Sequence, residues 1–380
     1  MNWVLITGAY PPDKGGLADY TSVLARELVR QGETVTVVTG PLATTAAPAS
    51  ADLRLVTLSD HFGWRGLADL NVLLAAVPAP RRMFVQYVPQ PFGPRRSSRF
   101  RGLPLTFTWW LRTQRPDLPI WTMLHEAKIT APAGSTLPRK LLARVTEQML
   151  RWTVSSSDRI FMAMQAWQPH VEGYLSPGQK LEFLPIPSNV ATTIDKRESA
   201  LTRDILLNGR VRTIVGHFGT FSSEVANLME PLVRWSVAKH PDRQVLLVGD
   251  GSHEFAHRLG PEAAGLVTTT GRLHADDVAR HLSACDLMIQ PFPDGASTRR
   301  GSIMAGLALG VPVVSNWGPS SEKIWKEQRA LALAPNPESL PGAIDELLAR
   351  PDECRALGER GRVLYEEQFS LAHTIRVLSG

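Results

Sequence analysis

The sequence has few cysteines and no long apolar run, two features that would identify a protein class directly. Only two of its 380 residues are cysteines, Cys285 and Cys354, and they form no CxxC pair. This argues against a cysteine metal cluster and a small disulfide-rich fold. No apolar run approaches the roughly 20 residues of a membrane-spanning helix. Charged residues make up 20% of the chain and hydrophobic residues 43%, which argues against disorder.

The N-terminus lacks the basic segment that opens a secretory signal peptide. MNWVLITGAYPP runs from an apolar stretch directly into a proline-rich turn, which is typical of a first strand. With so few cysteines, a reducing compartment fits the chain. We therefore expect a cytoplasmic protein.

Acidic residues are absent between Asp69 and Asp117. That window contains eight arginines: Arg81, Arg82, Arg95, Arg96, Arg99, Arg101, Arg112 and Arg115. Residues 1–190 carry 20 Lys and Arg against 13 Asp and Glu, whereas residues 191–380 carry 21 against 23. A basic first half indicates a polyanionic partner, and peripheral contact with the anionic inner face of a membrane is one form of it.

Aromatic residues accompany these arginines: Phe92, Phe100, Phe107, Trp109 and Trp110. Aromatic and basic residues together suit a bilayer interface or a phosphorylated acceptor. The alternative is that the tryptophans belong to the core and the arginines are solvated. No RNA- or DNA-binding motif is present, so nucleic acid is not expected as a partner.

The sequence does contain a regular alternation of apolar strands and amphipathic helices. NWVLITGA, a helical stretch that stops at Gly32, and ETVTVVTG form a strand–helix–strand unit, which predicts a parallel sheet. The second half repeats this alternation from VRTIVGHFGTF to VPVVSN and ends in helices. We predict an α/β fold of two doubly wound Rossmann-like domains that face each other across a ligand cleft.

A glycine pair, Gly15 and Gly16, joins the first strand to the first helix. Residues without a Cβ allow close approach of a ligand, and a helix N-terminus offers free N–H groups to an anion. A tight turn without any ligand explains the pair equally well, because Gly-Gly alone is a weak motif.

The motifs around this loop resemble family 4 (group 1) glycosyltransferases, which are retaining enzymes of the two-domain GT-B fold. The resemblance rests on PP-x-x-GG-x-x-x-Y and G-x-x-V-x-V-x-T in the first half, and on LLVGDG, GRL and GLALGVPVVSN in the second. It spans essentially the whole chain. It implies four segments: an acceptor-side domain at 1–188, a linker at 189–211, a nucleotide-sugar-binding domain at 212–362, and a C-terminal crossover helix at 363–380 that packs on the first domain.

A polar pair, His125 and Glu126, ends a mostly apolar strand. In a doubly wound fold such a pair faces the cleft, although a histidine there can also cap a neighbouring loop. The resemblance implies that His125 acts at the reacting centre and that Glu126 orients it, contacts the acceptor or serves as a base. The segment VQYVPQPFG resembles the acceptor-side strand and loop, which assigns Gln86 and Tyr87, together with Tyr20, to acceptor binding.

The sequence departs from the family pattern where the donor should bind. Ser297 and Ala305 stand at the positions of the family's two glutamates. Gly219 and Thr220 stand in the second domain's first loop, which lacks the usual Arg and Lys. Another cation must then neutralise the leaving diphosphate.

Arg299 and Arg300 are the candidates for that role. They precede a helix that starts near Ser302, and two guanidiniums at a helix N-terminus suit a diphosphate. The alternative is a solvated Arg-Arg turn. The arrangement Asp-Gly-x-Ser-x-Arg-Arg-x-Ser resembles a branch of the family without the paired glutamates. Asp294 either replaces a lost carboxylate by binding sugar hydroxyls or forms the PDG turn.

The resemblance also assigns further residues to the diphosphate and to the nucleotide of the donor. It assigns the diphosphate to Gly15, Gly16, Gly219 and Thr220 beside the two arginines. It assigns the nucleotide to three further residues: Gly271, Arg272 and Ser302.

The predicted function is transfer of a sugar from a nucleotide-diphospho-sugar to a hydroxyl of a saccharide, lipid-linked or other acceptor, with retention, in cell-surface polysaccharide or glycolipid synthesis. No cofactor is expected, and no metal, because no DxD pair stands where a metal–diphosphate site needs it.

One alternative is a nucleotide-sugar epimerase of the same fold. Another is a catalytically silent sugar-nucleotide-binding protein, which the missing glutamates favour and the glycine loop, His125 and the arginine pair disfavour.

Overall fold

The structure is a computed structural model that describes residues 1–13, 15–42, 51–90, 105–114, 118–209 and 213–380. The chain divides into two compact units, Met1–Pro185 and Ile186–Gly380. The arginines 95, 96, 99, 101 and 115 of the acid-free window, with Phe92 and Phe100, lie outside the described residues.

The N-terminal unit is a parallel seven-stranded sheet with helices on its faces. Its strands are β1 (Asn2–Thr7), β2 (Thr34–Thr39), β3 (Leu53–Thr57), β4 (Arg81–Tyr87), β5 (Ile120–Leu124), β6 (Arg159–Met162) and β7 (Lys180–Phe183). Its helices are α1 (Gly16–Arg30), α2 (Trp64–Ala76), α3 (Leu105–Leu111), α4 (Leu137–Ser155) and α5 (Gln168–Val171). The strand order is β3-β2-β1-β4-β5-β6-β7, and the order reverses between β1 and β4.

The C-terminal unit repeats this architecture with six strands. They are β8 (Thr213–Phe218), β9 (Arg243–Val248), β10 (Val267–Thr269), β11 (Leu287–Gln290), β12 (Val313–Asn316) and β13 (Ala332–Ala334), in the order β10-β9-β8-β11-β12-β13. Its helices are α6 (Lys196–Leu207), α7 (Ser223–Lys239), α8 (Ser252–Leu259), α9 (Ala275–Ser283), α10 (Gly301–Ala308), α11 (Ile324–Glu327), α12 (Leu340–Leu348), α13 (Pro351–Leu364) and α14 (Leu371–Ser379). Both sheets have the Rossmann order, which confirms the predicted fold class.

The cores follow from strands that are buried on both faces. Val4 and Ile6 of β1 belong to a core that the apolar sides of α2, α3 and α4 cover. In the second unit, α10 packs closely on its sheet because it is built from small residues. A Cβ added at Gly306 would lie 2.5 Å from Cγ2 of Val313 and 3.1 Å from Sδ of Met288. The run GLALG therefore lets the helix approach the central strands.

Two features of the fold lie outside the sequence predictions. Strand β3 is an edge strand whose residues are partly buried or exposed, so it lacks the continuous apolar run of central strands such as β1. The predicted linker at 189–211 contains helix α6, which Asp195 caps through its side chain. The packing of residues 363–380 on the first domain stays a prediction. Within the described residues, no helix is both long and apolar enough to cross a membrane.

Candidate functional site

The glycine pair of the first unit begins helix α1. Gly15 is the N-cap with φ of 137°, a conformation that favours glycine, so the backbone explains this residue. Gly16 differs, because a Cβ there would meet nothing within 4 Å. Among the described residues, neither backbone conformation nor packing accounts for a glycine at position 16, whereas close approach of a ligand would.

His125 directly follows β5 beside the end of β4, as expected for a residue at the carboxyl edge of the sheet. Its backbone N–H donates to the carbonyl of Tyr87 at 3.0 Å. Its ring Nε2 lies 2.7 Å from Oε1 of Gln86. Since an amide oxygen only accepts hydrogen bonds, Nε2–H is the donor and Nδ1 carries the lone pair.

Tyr20 approaches the same ring from helix α1. The ring centroids of Tyr20 and His125 are 5.2 Å apart in a T-shaped arrangement. The Tyr20 hydroxyl is buried and has no hydrogen-bond partner among the described residues. The fold therefore brings together Tyr20, Gln86 and His125, whereas Tyr87 contributes its backbone carbonyl and its side chain belongs to the core. The roles of all four residues toward substrates stay predictions.

Burial sets the charge of His125. It lowers the pKa of the imidazole from 6.5 to about 3, so the ring is neutral at physiological pH. The structure therefore favours a neutral imidazole over an imidazolium. Between pH 6.5 and about 3 the folded state binds fewer protons at this group than the unfolded state. Its contribution to stability therefore falls as the pH decreases through that window.

Glu126 follows His125 and is half-buried. The next residue, Ala127, is fully buried and belongs to the core. The loop is thus anchored on both sides of the carboxylate, while the roles of Glu126 as orienting group, acceptor contact or base stay predictions.

In the C-terminal unit, the loops after β8, β9 and β10 are held together through glycines. Gly219 N–H donates to Val248 O, and Gly249 N–H donates to Gly271 O, each at 3.1 Å. A Cβ on Gly249 would lie 2.0 Å from the carbonyl oxygen of Gly219. The glycines in these segments therefore allow the loops to contact each other. This packing explains the glycines without any ligand.

Three of the predicted donor contacts lie around these loops and on α10. Thr220 and Arg272 are exposed at the ends of the β8 and β10 loops. Ser302, the second residue of α10, is half-buried. Their contacts with a nucleotide stay predictions.

Arg299 and Arg300 precede α10 and converge on one carboxylate. Arg299 Nη2 lies 3.2 Å from Oδ2 of Asp294, and Arg300 Nη2 donates to Oδ1 of the same residue. The Arg300 guanidinium also stacks over Phe292, 4.3 Å from the ring centroid. The pair is therefore a partly buried cluster with net positive charge, and the solvated-turn alternative does not describe it.

Asp294 is ionised in this cluster. Burial acts to raise the pKa of its carboxyl, but the charges of Arg300 and Arg299 outweigh burial and hold the pKa below its usual range. The residue also stands in the turn from Phe292 to Gly295, closed by a hydrogen bond of 3.1 Å. Asp294 thus both shapes the turn and holds the arginines, and its contact with sugar hydroxyls stays a prediction.

The two positions at which the family has glutamates are both buried in the C-terminal unit. Ser297 and Ala305 are fully buried. The hydroxyl of Ser297 has no partner among the described residues.

A different carboxylate, Glu322, supports the same loop and was missed by sequence reasoning. It is 2% exposed, and it accepts hydrogen bonds from the Thr298 N–H at 2.6 Å and the Thr298 hydroxyl at 2.8 Å. No motif or periodicity marks Glu322, because it lies 24 residues from its partner. Glu322 therefore fixes the backbone next to Arg299.

Glu322→Ala should lower the free energy of unfolding by about 2–4 kcal/mol, because it removes two charge-assisted hydrogen bonds and leaves a buried N–H unpaired. Urea unfolding measures this loss. The control is Glu346→Ala on the exposed side of α12, for which we expect a change within about 0.5 kcal/mol. Equal losses in the two variants would contradict the assigned role.

His217 and Gln290 are two further polar residues that sequence reasoning missed. His217 Nδ1–H donates to the carbonyl of Ile289 at 2.9 Å, which leaves Nε2 as an acceptor. Burial lowers the pKa of His217 to about 4. His217 Nε2 and both polar atoms of the Gln290 side chain are buried without partners among the described residues. They lie near the ends of β8 and β11, where the strand order reverses and such sheets bind ligands.

The signal that could have found these two residues is a polar side chain near the carboxyl end of an otherwise apolar strand, in TIVGHF and LMIQ. Within the described residues, no group of three or more His, Cys, Asp and Glu side chains is arranged to hold a metal ion.

Comparison with known proteins gives one family match. Residues 212–350 match the family model described as "Glycosyl transferases group 1". No curated protein matches the sequence.

Several solved structures are similar to this chain. Sucrose-phosphate synthase from Thermosynechococcus elongatus has a TM-score of 0.69 and 18% identity, with 100% of this chain and 98% of that chain covered. WaaG, a glycosyltransferase involved in lipopolysaccharide biosynthesis, has a TM-score of 0.68 and 13% identity, with 99% and 98% covered. HepE from Anabaena, solved with UDP, has a TM-score of 0.69 and 14% identity, with 100% and 98% covered.

At these identities the structures establish the fold. The chain has the GT-B fold of two Rossmann-like domains, and residues 212–350 of its C-terminal unit match the group 1 glycosyl transferases.

Proposed function

We propose that this chain transfers a sugar from a nucleotide-diphospho-sugar to an acceptor hydroxyl, with retention of the anomeric configuration. The match of residues 212–350 to group 1 glycosyl transferases carries the proposal. The similar HepE structure was also solved with UDP-glucose, which supports a donor of that class. WaaG acts in lipopolysaccharide biosynthesis, which supports a cell-surface glycolipid or polysaccharide acceptor here.

The residues divide between the two substrates. Arg299 and Arg300 balance the charge of the donor diphosphate, which increases as the bond to the sugar breaks. The backbone at Gly16 offers N–H groups at a helix N-terminus, which suit an anionic group of a substrate. His125, with Tyr20 and Gln86 around it, contacts hydroxyl groups. In the retaining reaction the acceptor attacks on the face that the diphosphate leaves, and the departing phosphate takes the acceptor's proton.

A panel of nucleotide sugars tests this proposal against its alternatives. A transferase releases nucleoside diphosphate faster when acceptor is present, and NMR of the product gives the anomeric configuration. An epimerase converts one nucleotide sugar into another without release. A silent binding protein shifts its melting temperature with a donor but does neither. The proposal includes no metal or cofactor, so EDTA should leave turnover unchanged.

We also propose peripheral contact with an anionic membrane through the N-terminal unit. Arg81 and Arg82 of the acid-free window do not serve this contact, because Arg81 bonds to the Val77 carbonyl and Arg82 stacks 3.5 Å over Trp121. Exposed apolar side chains lie instead on α2, α3 and α4: Trp64, Val72, Trp109, Leu137, Leu141 and Leu142.

Basic residues accompany these apolar side chains on α4. Its first two turns contain Arg139, Lys140 and Arg144, all exposed, and no acidic residue precedes Glu147 in the helix. Trp64 and Trp109 are 62% and 46% exposed and contact each other with ring centroids 5.6 Å apart. Exposed tryptophan, leucine and basic groups together suit a bilayer surface. Trp110, in contrast, is core, as the alternative interpretation expected.

Co-sedimentation at low salt should show binding to vesicles with anionic lipid and little to neutral vesicles. Reversing Arg139 and Lys140 to glutamate should weaken binding by about 30-fold or more, since each basic group near such a surface contributes about 1 kcal/mol. The matched control reverses Arg350 and Arg355, which are exposed on the C-terminal unit. Equal binding to both vesicle types would end the membrane proposal.

A further inference from the structure

Gln86 is a buried amide with a hydrogen-bonding pattern that substrate contact alone does not explain. It is fully buried in β4, where it pairs with Thr7 of β1 and Met123 of β5. Strand interiors rarely contain a buried amide unless it is hydrogen-bonded. Its Oε1 is bonded to His125, whereas its Nε2 is buried without a partner among the described residues.

The bond between Gln86 and His125 decides which ring nitrogen carries the proton. At 2.7 Å the amide oxygen holds the hydrogen on Nε2. The ring is neutral because burial lowers its pKa, so Nδ1 has a lone pair and no hydrogen. The Tyr20 ring contacts the imidazole edge-to-face and limits its rotation.

A neutral ring with Nδ1 as acceptor favours ligands that donate a hydrogen bond. A hydroxyl group donates to such a nitrogen, whereas an ionised phosphate oxygen cannot and is repelled by the lone pair. An unpaired buried amide N–H also costs about 1–3 kcal/mol, which an oxygen of the same ligand would relieve.

We propose that Gln86 is a positioning residue that holds His125 in the Nε2–H tautomer, so that Nδ1 accepts a hydrogen bond from a substrate hydroxyl and not from the diphosphate. The catalytic part of this inference rests on the proposed glycosyl transfer. The tautomer itself does not, and it is measured separately.

Gln86→Glu tests the inference at the ring. Burial disfavours an ionised carboxylate, so we expect the Glu–His pair to hold one proton more at pH 7 than the Gln–His pair does. Whether that proton sits on the carboxyl or on the ring, the hydrogen bond then leaves Nδ1 protonated. Nitrogen-15 NMR of the ring, with signals assigned by comparison with His125→Asn, should show an unprotonated Nδ1 in the native protein at pH 7 and a protonated Nδ1 in the variant.

Turnover provides the second readout. Release of UDP from UDP-glucose, or from the donor that the panel identifies, should fall by about 10- to 100-fold in Gln86→Glu, a loss similar to that on mutating the hydrogen-bond partner of a metal-bound histidine. The donor KM should change little. Gln86→Met, of similar volume, should also lose turnover while the unfolding midpoint stays close to native.

The matched control is Gln244→Glu, which adds a carboxylate at a buried glutamine of β9 that bonds Thr268. It should leave the His125 nitrogens unchanged. A protonated Nδ1 in the native protein, or an unchanged Nε2–H tautomer in Gln86→Met, would overturn the inference even if the chain transfers sugars. If the NMR signals of the native protein and of the variant are as expected but no donor is turned over, only the proposed function is refuted.

Discussion

Alanine at Arg299 or Arg300 is expected to lower kcat/KM for the donor by about 30- to 1,000-fold, which corresponds to about 2–4 kcal/mol of transition-state stabilisation. The physical reason is the charge that develops on the leaving diphosphate. Both guanidiniums are partly buried and already held in place by Asp294, so they need little reorganisation to meet that charge. Initial-rate kinetics across the donor concentration range measure the loss.

The matched control for this experiment is Arg355→Ala. Arg355 is an exposed arginine of α13 that pairs with Asp352 in the same helix. It should keep native kinetics. Native turnover in the double variant of Arg299 and Arg300 would instead mean that the pair only shapes the turn before α10.

His125→Ala is expected to reduce turnover by about 100-fold or more, the low end for a positioned polar or acid–base group. The neutral ring accepts a hydrogen bond from a substrate hydroxyl, and alanine cannot. Donor affinity should change much less, because the groups proposed for the diphosphate lie elsewhere. Stopped-time assays give kcat, and UDP binding by calorimetry gives the affinity.

His170→Ala supplies the control, because His170 is exposed on α5. Parallel losses of UDP affinity and of turnover in His125→Ala would show that the ring only supports its loop. His125→Gln should recover part of the activity, because an amide oxygen accepts a hydrogen bond as Nδ1 does.

Much of the fold was accessible from the sequence because its causes are local. Runs such as NWVLIT and TVTVVT are buried on both faces, which is the pattern of central parallel strands. Helix α1 ends near Gly32, whose φ is 84°, because only glycine enters that conformation at low cost. Strand β3 escaped prediction because an edge strand need not be apolar throughout.

The sequence also determined the position of His125, since a polar residue after a buried strand must lie at the carboxyl edge of a parallel sheet. It marked Arg299 and Arg300 by their place before a helix. It did not determine their partners. Asp294 holds both arginines, Glu322 holds Thr298, and Gln86 sets the His125 tautomer across 39 residues of chain.

These partnerships depend on which strands become neighbours and on which side chains lose contact with water. Desolvation lowers the pKa of the partly buried His125, and no sequence pattern states how far water is excluded from its ring. The residue types and their order along the chain therefore specify the architecture and the candidate groups. The charge states, the tautomer and the pairing of those groups arise only when β4 and β5 lie side by side in the first sheet and the loops after β11 and β12 meet in the second.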